Sequence, residues 1–194
     1  MEYLTLNTGA KMPQEGFGVF QIPDQEQCEQ VVYDAIKAGY RLIDTARAYY
    51  NEEAVGKAVA RAIADGLTTR EDLFITTKVW VSDMGSEGEA YEAVKASLAE
   101  GNHGIFTDPE LVAIGEKYGK SAAQVVLRWN VQRDVSIIPK SVHVDRMEQN
   151  IDIWDFELTE DEMTKISAKD LGHSEIVDHG DPTFVKFIWQ YHAE

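Results

Sequence analysis

Leu73-Phe74-Ile75-Thr76-Thr77-Lys78-Val79-Trp80 is a continuous apolar and β-branched run, the pattern of a strand buried on both faces, as parallel sheets require. A lysine in such a run costs free energy to bury and needs a carboxylate partner. Asp44, on the strand expected before it, is the candidate.

The run is the third of its kind. Arg41 to Thr45 is a short strand, followed by a loop through Tyr50 and a helix that starts at Asn51-Glu52-Glu53 and ends at Gly66. Ala54, Val55, Ala58, Val59, Ala62 and Ile63 line one side of it. Before that, Gly16 to Phe20 is a glycine-punctuated strand, and Asp24 with Gln27 opens a helix carrying Cys28, Val31, Val32, Ala35 and Ile36 up to Gly39. Glu2 to Leu6 and Lys11 to Met12 flank Asn7-Thr8-Gly9-Ala10 as a hairpin. Glu87 to Ala99 returns to helical spacing. Three successive βα units, residues 1–100, imply parallel strands with right-handed crossovers.

After Glu100 the rhythm breaks. Gly101 to Thr107 is polar and no fourth strand follows. Asp108-Pro109 and Ser121 with Gln124 open two helices, Val135 to Pro139 reads as one more buried strand, and Thr159 with Glu162 caps a further helix. The tail from Gly172 is irregular until an aromatic stretch at Phe184 to Tyr191. The whole of residues 1–194 is expected to form one domain, with residues 101–194 supplying the last helix and strand unit and the tail.

The net charge of −16 argues against a nucleic-acid partner, which needs clustered cations. The apolar runs are too short to span a bilayer, and the N-terminus has no basic segment leading into a hydrophobic one. The lone Cys28 cannot form an internal disulfide and reads as a small buried apolar residue. A cytoplasmic location is expected, with no metal site.

Asp44 and Tyr49 follow the second strand and Lys78 lies in the third, on the edge of a parallel sheet where function collects. A phenol titrates near ~10 and donates a proton at neutral pH when its anion is stabilised. Lowering that value by about 2 units takes ~3 kcal/mol, which an ammonium in a dry pocket supplies. Further on, Lys140, Ser141 and Arg146 offer two cations and a hydroxyl over one turn, suited to a phosphate. Spacing alone leaves the plainer readings open: a structural ion pair, a surface aromatic, a solvated basic helix start.

Taken together, these motifs resemble the aldo-keto reductase family. Ile43 to Tyr49 followed by Asn51-Glu52-Glu53-Ala54-Val55-Gly56 is similar to its Asp and Tyr segment, Ile75 to Trp80 to its Lys strand, and Ile138-Pro139-Lys140-Ser141 with Arg146, Gln149 and Asn150 to its NADP clamp. The Gly16 to Phe20, Asp108 to Leu111 and Trp154 to Leu158 stretches match as well. The resemblance implies a (β/α)8 barrel that uses NADPH to reduce a small carbonyl substrate. It implies Tyr49 as proton donor, Lys78 as the cation beside it and Asp44 as the anchor of Lys78. Phe20 and Trp80 would line the substrate pocket. Val19, Asp44, Lys140, Ser141, Val142, Arg146, Gln149 and Asn150 would hold the cofactor.

The resemblance also exposes gaps. No Leu-Ile-His segment supplies the family's catalytic histidine, and His103, His143, His173, His179 and His192 match no catalytic position. The fifth-strand Ser-Asn pair is absent too. A barrel of this type takes ~250 residues. Strands four to seven are therefore expected to be missing, leaving a half barrel in the order eight, one, two, three, with an N-terminal hairpin. Its open edges invite a homodimer or aggregation. Three readings stay open: a reductase lacking its central segment, a nucleotide binder with little turnover, and an oligomerising scaffold.

Overall fold

The computed structural model describes residues 2–78 and 107–169. Trp80, the helix expected at Glu87 to Ala99, His103 and the tail from Gly172 lie outside them.

Local sequence signals account for most elements. Strands β1 (Tyr3–Thr5) and β2 (Lys11–Pro13) pair antiparallel as the expected hairpin. Strand β3 (Gly16–Gly18) leads to helix α1 (Gln25–Ala38), whose Asp24 cap accepts from the Gln27 amide and whose end is turned by Gly39 at φ 111°. Strand β4 (Leu42–Asp44), a 3-10 turn (Arg47–Tyr49) and helix α2 (Glu52–Ala64) follow, then β5 (Phe74–Thr76). Helices α3 (Pro109–Tyr118) and α4 (Ala122–Val131) begin at Asp108 and at a Ser121–Gln124 capping box. Helix α5 (Val144–Ile151) and helix α6 (Glu160–Ser167), with its Thr159–Glu162 capping box, complete the described chain.

The sheet runs β3-β4-β5, all parallel. On the far side of β3, the Gly16 amide donates to the Ile137 carbonyl at 2.8 Å, the Ile137 amide to Gln14 at 2.9 Å, and the Gly18 amide to Pro139 at 3.2 Å. The segment at Ile137 therefore lies next to β3, in the order expected from the resemblance. It is a single parallel bridge, Glu15 with Ile137, and not the regular strand expected over Val135 to Pro139. Asp134 at φ 60° bends the chain into it, and Pro139 has no amide to extend the ladder.

The third strand also departs from expectation. Phe74, Ile75 and Thr76 are half-buried rather than covered on both faces, because β5 is the outermost strand of the sheet among the described residues.

Two apolar clusters hold the elements. Phe17, Val19, Val32, Ile36, Tyr40, Ile43 and Val59 pack α1 and α2 against the sheet, and Cys28 is buried among them. Leu111, Val125, Ile137, Ile153, Phe156 and Ile166 join the later helices. Tyr40 donates to the Met147 carbonyl within the first cluster, and two polar bonds tie the segment before β3 to the second: Gln14 Nε2 donates to the Val131 carbonyl and Trp154 Nε1 to Glu15 Oε2 at 3.2 Å.

Candidate active site

The sheet register aligns Gly18, Asp44 and Thr76 in one row across β3, β4 and β5. Asp44 is buried there. Its Oδ1 accepts from Thr76 Oγ1 at 2.8 Å and its Oδ2 from Lys78 Nζ at 2.6 Å, while Lys78 also donates to the Thr45 carbonyl at 3.2 Å. The expected ion pair thus exists, with one correction: Lys78 lies beyond the end of β5 and its side chain is 50% exposed. A half-solvated ammonium avoids the desolvation that a fully buried one incurs.

Tyr49 ends the 3-10 turn after β4, and Tyr50 in the left-handed region at φ 54° turns the chain back toward α2. The Lys78 ammonium sits 5.0 Å from the centre of the Tyr49 ring. Phe20, just past β3, packs at a tilt against the same ring, centres 4.9 Å apart. Burial works against the Lys78 charge, but the bond to Asp44 and the contact with the Tyr49 phenol outweigh it and raise the Lys78 pKa above its ordinary value. The ammonium therefore stays charged beside the phenol at neutral pH.

A second feature lies where α4 and α5 begin. A cleft of about 640 Å³ is lined by Pro139, Lys140, Ser141, Arg146, Gln149 and Asn150 on one side. Its opposite wall is Ser121, Ala122, Ala123, Val126 and Leu127. Five clamp residues proposed from sequence meet here, and the small and apolar α4 wall was not anticipated. Helix α5 has no side-chain cap at His143, so its first-turn amides remain open to an anion. Among the described residues, Lys140 and Arg146 carry no ion pair or side-chain hydrogen bond.

Three of the proposed cofactor residues are already engaged within the fold. Val19 is fully buried, its amide donates to Asp44 and its carbonyl accepts from Asn51, so it belongs to the core and not to this cleft. Val142 likewise packs on the first apolar cluster. Ser141 lines the cleft, but its hydroxyl closes the turn before α5, accepting from the His143 amide at 3.0 Å and donating to the His143 carbonyl at 3.2 Å.

Comparison with known proteins gives the family. The sequence profile of the aldo/keto reductase family matches residues 14–103 and 105–171. This chain belongs to the aldo/keto reductase family. Among relatives of this reductase, an uncharacterized oxidoreductase, YtbE, of Bacillus subtilis is 29% identical over 255 positions, covering 84% of this chain and 91% of its own. The methylglyoxal reductase DkgA of Escherichia coli is 28% identical over 262 positions, covering 87% and 94%. The crystal structure of a Bombyx mori aldo-keto reductase in complex with NADP superposes with a TM-score of 0.77 at 25% identity, covering 92% of this chain and 95% of that one. Both sequence alignments are longer than the 194 residues here, so each relative carries positions with no counterpart in this aldo/keto reductase.

Two further polar residues of this family member escaped prediction from the sequence. Thr76 could have been found from register, since it stands opposite Asp44 and two residues before Lys78. Asn51 reads only as a helix start, yet its side chain makes no capping bond and reaches other loops instead.

Proposed function

We propose that this protein reduces an aldehyde or ketone to the alcohol with NADPH, and that Tyr49, Lys78 and Asp44 perform the proton transfer. The observation that carries the reading is the Lys78 ammonium held 2.6 Å from Asp44 and 5.0 Å from the Tyr49 ring. NADPH, when bound, supplies a hydride to the carbonyl carbon. Tyr49 gives its hydroxyl proton to the carbonyl oxygen, and Lys78 stabilises the phenolate left behind. Asp44 and Thr76 keep the ammonium in place. Phe20 and Trp80 shape the substrate side.

The cleft fits the cofactor's charged end. Lys140 and Arg146 are exposed cations in a chain of net charge −16, suited to a 2'-phosphate, and Gln149 and Asn150 offer amides to the adenine. NADPH is favoured over NADH for that reason. The Bombyx mori relative in complex with NADP supports the same cofactor class.

The finer architecture we propose is one domain built on half of the family's barrel, strands eight, one, two and three. The parallel order β3-β4-β5 with Ile137 alongside β3 supports it, as do alignments longer than the chain. Edges left open among the described residues, one of them flanked by exposed Val135 and Ile138, favour a homodimer. The sequence contains no Leu-Ile-His segment, which favours a second reading: nucleotide binding with little turnover.

Oxidation of NADPH in the presence of a small aldehyde tests the first reading, with Tyr49→Phe as the control that must lose the rate. Saturable NADPH fluorescence without turnover selects the second. No saturable signal at all removes both.

A further inference from the structure

The start of α2 is joined to three separate loops. Asn51, fully buried, donates from Nδ2 to the carbonyls of Val19 at 3.0 Å and Ile22 at 3.1 Å, and its Oδ1 accepts from Thr45 Oγ1 at 3.2 Å. Those carbonyls flank Phe20 and Gln21, and Gln21 at φ 59° makes the backbone turn sharply between the two anchors. The next residue, Glu52, accepts from Thr77 Oγ1 at 2.6 Å, next to Lys78. A residue before a helix ordinarily uses its side chain on that helix's first amides. Asn51 makes no such bond. Its donors go to a loop about 30 residues back, which is the loop that carries Phe20.

We infer that Asn51 is a positioning residue for the Tyr49 site, an inference that rests on reading Tyr49 as the proton donor. Tyr49 stands two residues before Asn51, and Phe20 lies between the two carbonyls Asn51 holds, so three hydrogen bonds from one side chain set how the two rings meet at 4.9 Å. Buried donors and acceptors left unpaired are costly, so the bonds are kept and the two loops move as one. Asn51 is fully buried and its side-chain bonds go to protein groups, so it acts through the residues it holds. It fixes the distance between the phenol and the aromatic wall that a carbonyl must enter.

The test uses the full chain with Asn51→Ala and Asn51→Ser, the second retaining a favoured capping residue so that α2 still begins normally. Nuclear Overhauser effects between the Phe20 and Tyr49 rings are recorded in isotopically labelled protein, beside steady-state kinetics with NADPH and a small aldehyde. The expected result is disappearance of the ring-to-ring effect in a cooperatively melting protein, with kcat about a hundredfold lower and the NADPH Kd changed by no more than about twofold. A ring-to-ring effect that persists in either folded variant overturns the inference, whatever the kinetics. Separation of the two rings in both variants, where the unaltered protein itself turns over no aldehyde, upholds the positioning role and overturns the proton-donor reading instead.

Discussion

Asp44, at the end of β4, and Lys78, two residues past the end of the adjacent parallel strand β5, meet at 2.6 Å, the carboxylate buried and the ammonium half in solvent. The asymmetry matters: the buried partner is fixed by Thr76 as well, so the flexible lysine is oriented by a rigid acceptor. The ammonium is thereby held beside the phenol it serves.

Replacement of Lys78 by Met should lower kcat by about 10² to 10⁴, the range for losing an acid–base group, with NADPH affinity little changed. Asp44→Asn should cost less, because the ammonium keeps the Thr45 carbonyl as a partner. Stopped-flow or steady-state NADPH oxidation measures both. Equal losses of NADPH binding and turnover would contradict the separation of the two sites.

Much of this was legible because the signals are local. Asp24 with Gln27, Ser121 with Gln124 and Thr159 with Glu162 each decide a helix start within four residues, and all three caps form. Asp44, Tyr49 and Lys78 could be joined because parallel strands bring their C-terminal ends together. Val135 to Pro139 failed as a strand since hydrophobicity does not reveal a missing amide or a left-handed Asp134. Asn51 was hidden for a different reason: its partners are about 30 residues away and are backbone carbonyls, which leave no trace in side-chain spacing.

The cleft makes a separate claim about cofactor choice. Arg146→Ala should weaken NADPH by roughly 1.5–3 kcal/mol, a charged hydrogen bond's worth, while leaving NADH nearly unchanged. Lys140→Ala should act in the same direction. Fluorescence titration with the two nucleotides reads the ratio, and parallel weakening of both would remove the 2'-phosphate assignment.

Gly18 shows how closely the clamp segment approaches the sheet. A Cβ there would lie 3.1 Å from the Ile138 carbonyl, which the Gly18–Pro139 hydrogen bond holds in place. Gly18→Ala should therefore cost about 1–3 kcal/mol, as overpacking does, and displace Lys140. Lower melting temperature together with weaker NADPH binding is the expected pair of results; an unshifted melt would show that the segment yields freely.

Glu15 carries a pH dependence that spans neutrality. It precedes β3 on the same face as Phe17 and Val19, fully buried, with Oε1 lacking a hydrogen-bond partner and Oε2 accepting from Trp154. Burial, opposed by the Trp154 bond, pushes its pKa up to about 8. Between pH 4.5 and 8 the folded chain keeps this proton and the unfolded chain releases it, so stability falls as pH rises through that window and levels off above it. The loss is on the order of 4–5 kcal/mol at its full extent. Glu15→Gln keeps the shape and an acceptor for Trp154 but cannot ionise. It should match the unaltered protein near pH 4.5 and exceed it increasingly up to pH 8 in urea melts, and parallel stability curves across that range would show that Glu15 does not titrate in the fold.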